Sequence, residues 1–171
     1  MNLLEITKHS SAFLKSLNNR KEKNGPDKKI FACDLGIRVE RVPVENAAML
    51  FGVEPELIKG AFWDGDGIPL LNNLDEMKFT ACYEDCYQVV IANHDPKVKT
   101  KQYEDRASKV DKFTAKAEVG FELTLEFKIS ITDPNKQFYD IAKKLLQDDV
   151  PLTLVPIRDK FPKENGKLDL N

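Results

Sequence analysis

At 171 residues and 42% hydrophobic content, the chain is long enough for one domain with a real core, because folding at this size buries roughly 70% of the surface exposed by the unfolded chain. Its 26 basic and 28 acidic side chains leave a net charge of −2, which excludes the strongly basic footprint of a typical duplex-DNA binder. No apolar run approaches the roughly 20 residues of a membrane-crossing helix, and "MNLLEITKHSSAFLKSL" lacks the pattern of a secretory signal, so residence in the cytosol is expected, with no membrane partner.

In chain order, the spacing of Phe13, Leu14 and Leu17 predicts a helix over about residues 3–20. A basic arm or linker follows over about 18–29, with Gly25 and Pro26 supplying a turn. "IFACDLGIRVERV" alternates strictly, placing Phe31, Cys33, Leu35, Ile37 and Val39 on one side of a half-buried strand. "VENAAMLFG" reads as a short helix ended by Gly52, and "EPELIKGAF" as another with Pro55 in its first turn. "WDGDGIP" forms a turn. "EMKFTACY" and "CYQVVIA" then read as two strands of a hairpin joined by Glu84 and Asp85.

The polar loop "NHDPKVKTKQYEDR" leads into a second hairpin, "ASKVDKFTAKA" with "FELTLEFKISIT", turning at Glu118, Val119 and Gly120. That last strand places Phe121, Leu123, Leu125, Phe127, Ile129 and Ile131 inward. Glu122, Thr124, Glu126, Lys128, Ser130 and Thr132 form a solvated outer face with no aromatic ring for stacking. Asp133 and Pro134 open a helix carrying Phe138, Ile141, Ala142 and Leu145 on one face. "VPLTLVPI" is a final strand whose prolines favour an edge or a bulge, and residues 158–171 are a polar tail. The expected fold is a single α+β domain over 1–171, mainly antiparallel sheet in a sandwich or curled form, with an N-terminal helix and a helix before the last strand.

The chemistry-bearing residues are sparse. Neither GxxxxGK[ST] nor GxGxxG occurs, and neither His9 nor His94 belongs to a nucleophile motif. Cys33, Cys82 and Cys86 are too few to form a disulfide scaffold and read as small hydrophobes. Asp64 and Asp66, with Asp75 or Glu76, fail the calcium-loop spacing, because Gly67 falls fourth and Asp75 twelfth. No catalytic residue, metal or cofactor is therefore expected; a metal-dependent enzyme built on Asp64 and Asp66 is the minor alternative.

Charge is distributed unevenly. Residues 1–30 hold seven basic side chains against three acidic, residues 31–96 four against twelve, and residues 97–171 fifteen against thirteen. Single-strand binders combine a cationic track with aromatic platforms, and Arg20, Lys21, Lys23, Lys97, Lys99, Lys101, Tyr103 and Arg106 have that composition, with Lys28 and Lys29 also in the arm. The acidic middle, with Asp64, Asp66, Glu84 and Asp85, offers an alternative contact for a basic partner.

"SSAFLKSLNNRKEKNGPDKKIFACDL", "LTLEFKISI" and "DPNKQFYDIAKKLLQDDVPLTL" resemble a widespread group of uncharacterised prophage and phage proteins. The likeness covers both ends of the chain and rests on structural motifs. It implies an accessory protein of the infected bacterial cytoplasm and carries over no catalytic residue. The leading expectation is a non-catalytic binding protein of phage DNA metabolism, contacting single-stranded DNA or a DNA-handling protein. The alternative is a counter-defence inhibitor, similar in logic to anti-CRISPR proteins, that docks on a host defence nuclease. The oligomeric state is not determined by these features.

Overall fold

The computed structural model describes residues 12–23, 25–26, 28–70, 76–92, 97, 99 and 102–157. One antiparallel sheet contains β1 (Ala12–Lys23), β2 (Lys29–Pro43), β3 (Met77–Lys78), β4 (Tyr83–Ala92), β5 (Gln102–Glu118), β6 (Glu122–Thr132), β7 (Asp149–Val150) and β8 (Leu152–Pro156). The helices are α1 (Val44–Phe51), α2 (Pro55–Phe62) and α3 (Lys136–Lys144).

The strand order is β7-β1-β2-β6-β5-β4-β8, with β3 paired to β5 off this path. Only Pro151 separates β7 from β8, so the two outermost strands are one stretch of chain. Val150 pairs with Ala12 at one edge of the sheet, and Leu152 pairs with Ile91 at the other. The sheet therefore curls into a nearly closed barrel, the curled form of the expected antiparallel sheet. Proline cannot donate to a ladder, and at the changeover Pro151 contributes only its carbonyl, which accepts from Ala92 N at 2.9 Å. α3 spans the end of the sheet beyond β6: Tyr139 Oη donates to Asn19 of β1 at 3.1 Å, and Asn135 N donates to the Asp105 carboxylate of β5 at 2.7 Å.

β-bulges supply the curl, since each extra residue bends its strand and increases local twist. Register breaks fall between Val39 and Val42, between Glu84 and Tyr87, and between Asp111 and Thr114. Each contains a left-handed residue, Arg41 (φ 55°), Asp85 (φ 53°) and Lys112 (φ 58°). The enclosed face buries Leu35, Ile37, Val39, Leu123, Leu125, Phe127 and Ile129. Val44, Ala47, Ala48 and Leu50 of α1 join the same core at one end, and Phe138 and Ala142 of α3 join it at the other.

Several sequence expectations are corrected. Residues 12–20 are strand, not helix; the rest of that expected helix lies outside the described residues. The cause is a fourth bulge, between Leu14 and Ser16, which lets Leu14 and Leu17 face inward although three residues apart, mimicking helical spacing. The expected arm over 18–29 is mostly paired strand, with only its Gly25–Pro26 turn as anticipated. Glu84 and Asp85 do not join a hairpin: they lie inside β4, and β3 pairs with β5 instead. Asn135, not Asp133, caps α3, accepting from Gln137 N at 2.9 Å. Phe121 leaves the strand pattern with φ 61°, in the turn beside Trp63. α1 followed by Gly52 at φ 66°, α2 with Pro55 in its first turn, and the β5–β6 hairpin are as expected.

Candidate nucleic-acid interface

β2 and β6 are antiparallel, and Thr132, the end of β6, lies opposite Ala32. Beyond that row β1 and β2 continue as a hairpin through Lys21 opposite Phe31 and Lys23 opposite Lys29. On the other side of β6, β4 and β5 also continue, through Val89 opposite Asp105 to Ala92 opposite Gln102. The strand pairs that lead into both lysine-rich turns therefore project past the same end of β6, flanking the corner where it passes into α3. That corner is fastened to each: Asp133 N donates to Phe31 O at 2.8 Å on one side, and Asn135 N donates to Asp105 on the other.

The residues singled out in the sequence differ in what their charges face. Arg20 is tied to Asp34, Nε to Oδ1 at 3.0 Å, and to Glu22, whose carboxylate also accepts from Thr132 Oγ1 at 2.7 Å. Lys21, Lys23, Lys28 and Lys29 are exposed. Lys23 stands directly across from Lys29, a cross-strand pairing of like charges that costs stability unless an anion relieves it. Lys97 and Lys99 are exposed in the second turn, while Lys101 and His94 lie outside the described residues, as does His9. Tyr103 is half-buried against the core, opposite Ile91, and is not an open stacking platform. Arg106 faces Asp85, Nε to Oδ1 at 3.5 Å.

Sequence reading missed the aromatic pair at this end. Phe31 continues the inward alternation of β2, yet it lies past the last row of β6 and is 40% exposed. Tyr139 of α3 meets it edge-on, ring centroids 5.3 Å apart at 87°. The one sequence signal was the position of Phe31 at the start of its strand, next to the lysines of the turn.

The outer face of β6 is not simply solvated. Lys15 pairs with Glu126 at 2.5 Å, Lys128 lies 3.9 Å from Asp34 and 3.6 Å from Asp111, and Lys109 lies 3.3 Å from Asp111. Two shallow grooves, of about 380 and 510 Å³, share Asp34 and Lys128 along this face. Burial alone would raise the Asp34 pKa. The Ser130 and Arg20 hydrogen bonds and the nearby Lys128 charge outweigh it and hold the carboxyl below its ordinary value. These charges compensate one another across the face, although Asp111 Oδ1 is buried without a hydrogen-bond partner.

The four acidic candidates do not form one cluster. Asp64 and Asp66 sit in the turn after α2, where Asp64 Oδ1 accepts from Asp66 N at 3.0 Å and Ile68 N at 2.9 Å. That turn contacts the β5–β6 turn through Gly120 N to Gly67 O at 2.9 Å. Glu84 and Asp85 sit opposite Lys109 and beside Arg106, about half the length of β5 away, on the order of 25–30 Å of extended strand. Asp75 lies outside the described residues, and among the described residues no three His, Cys, Asp or Glu side chains gather as metal ligands. Cys33 and Cys86 are buried as expected and Cys82 is exposed; burial, with Asp105 and Asp34 nearby, pushes the Cys33 thiol up to about 11.

Among the described residues no helix is long and apolar enough to cross a membrane. No family model, curated protein or solved structure matches this chain, so its chemistry has to be read from its own residues.

Proposed function

We propose that the chain is a non-catalytic accessory binding protein of the phage type, acting in DNA metabolism by holding single-stranded DNA at the hairpin end of the barrel. The observation that carries this reading is that the strand pairs leading into both lysine-rich turns pass the same end of β6. Lys21, Lys23, Lys28 and Lys29 on one side, and Lys97 and Lys99 on the other, supply the phosphate track. Phe31 supplies a ring for a base, backed by Tyr139. The strand entering between two projecting hairpins would relieve the repulsion of Lys23 and Lys29. Arg20 and Arg106, already paired within the fold, hold the hairpins rather than the ligand.

Fluorescence anisotropy with a labelled oligonucleotide tests this. Single-stranded DNA should bind more tightly than the same sequence as duplex. Changing Lys21, Lys23 and Lys29 together to Glu should flatten the salt dependence by about 2 in log–log slope, roughly 0.7 per lost phosphate contact. Phe31→Ala should cost about 1–3 kcal/mol of binding with little change in that slope. Absence of binding at low salt would refute direct DNA contact and leave a DNA-handling protein as the partner.

A further inference from the structure

The opposite end of the barrel carries a surface that the hairpin end does not share. Ile58 and Trp63 take the buried side of α2 and the residue that follows it. Leu57 and Ala61 fall at i and i+4 on another side, with Leu57 68% exposed and Val53 just before the helix 42% exposed. Ile68, half exposed, is held against Asp64 by two hydrogen bonds, Asp64 N to Ile68 O and Ile68 N to Asp64 Oδ1, both 2.9 Å. Leu70, also half exposed, donates its N–H to Phe62 O at 2.8 Å. Val119, 72% exposed, lies in the β5–β6 turn that Gly120 fastens to Gly67. Five of the eight large hydrophobic side chains exposed among the described residues thus belong to this end, a concentration of exposed apolar side chains of the kind that marks an interaction surface.

The rim is acidic. Residues 44–70 hold Glu45, Glu54, Glu56, Asp64 and Asp66 against a single Lys59, and the ammonium of Lys59 is taken by Glu45 at 3.0 Å and Glu56 at 3.1 Å. The surface is also held in place: the Trp63 indole donates to Glu118 O at 2.6 Å, and Gly67 at φ 75° leaves no room for a Cβ against the Phe121 ring. A pre-shaped surface gives up little freedom on docking.

We infer that this apolar, acid-rimmed surface docks a segment of another protein that presents apolar side chains flanked by lysine or arginine, such as one face of a basic amphipathic helix. The sign of the rim selects the basic partner, and the exposed leucine, isoleucine and valine side chains select the apolar face. A second copy of the chain fits less well. A closed pair would set two copies of this patch against each other, acid rim facing acid rim. None of these side chains belongs to the hairpin end that would hold DNA.

The test is a titration of the full chain, with labelled methyl groups, by a leucine–lysine peptide patterned as one amphipathic helix. Saturating shifts are expected at Leu57, Ile68, Leu70 and Val119. Affinity should fall at least about tenfold in the Leu57→Ser, Ile68→Ser double variant, and likewise for a peptide of the same charge with alanine in place of leucine. Val155→Ser, an exposed apolar position on β8, should leave affinity unchanged and control for nonspecific attraction. Equal affinity in all variants, or shifts that never saturate, would overturn the inference. So would movement of the same methyls on dilution of the protein alone, which identifies a second copy as occupant, or on removal of residues 1–11, which identifies the chain's own N-terminal segment.

Discussion

The two ends of the barrel differ in how they handle charge. At the helical end the single lysine of residues 44–70 is neutralised within the fold, and the excess carboxylates surround exposed apolar side chains. At the hairpin end Arg20 is neutralised in the same way, but Lys23 and Lys29 are set against each other across a ladder. A net charge of −2 therefore conceals an axis, basic at the two turns and acidic at α1 and α2. The difference teaches that a nearly neutral total says little about binding: what matters is which charges the fold has already paired.

The strongest way to break the comparison is to disturb what the ends share. Phe127 is 3% exposed and lies 5.3 Å from the Phe113 ring, which in turn stands 6.0 Å from Phe51 of α1. Phe127→Ala should cost on the order of 3–5 kcal/mol in urea unfolding, with Trp63 fluorescence and far-ultraviolet circular dichroism giving one midpoint. Two separated transitions would mean that the ends are independent folding units.

A smaller effect should be confined to one end. At Gly67 a Cβ would meet the Phe121 ring at 2.9 Å, and φ is already in the left-handed region. Gly67→Ala should destabilise by about 1–3 kcal/mol while leaving oligonucleotide affinity within twofold of its starting value. A large loss of oligonucleotide binding would show that the two ends communicate.

The smallest effect is graded with pH and belongs to the outer face between the ends. The folded pKa of Asp34 lies below its ordinary value of about 3.9, so the stability it adds is complete above that value and is lost as pH falls through the folded pKa. Asp34→Asn should flatten the stability profile on the acid side of about pH 4, measured by thermal unfolding against pH, and leave the neutral-to-alkaline limb unchanged.

What could be read from the sequence was local. The alternation of β6, the glycine after α1 and the proline at the start of α2 express short-range geometry and appear where expected. β1 was misread because a single inserted residue makes strand spacing imitate helix spacing, and none of the bulged residues Arg41, Asp85 and Lys112 is the glycine that would announce a left-handed position. The cationic composition of the candidate site was visible, but not its sorting. The pairing of Arg20 with Asp34, or of Arg106 with Asp85, depends on register between strands. The exposure of Phe31 depends on how far β6 extends beside it.

The closing segment has a consequence for how the molecule is made. Ala12, in the first strand, finds its partner Val150 only after nearly all of the described chain has been synthesised, and the neighbouring residue Leu152 completes the other edge at Ile91. Until residues 149–156 have left the ribosome, β1 and β4 each present an unpaired edge, the kind of edge that invites pairing with other chains. Contacts this distant in sequence also slow folding, so the nascent barrel passes through a long-lived open form. Growth temperature and chaperone supply should therefore influence the soluble yield more than the stability of the finished barrel would suggest.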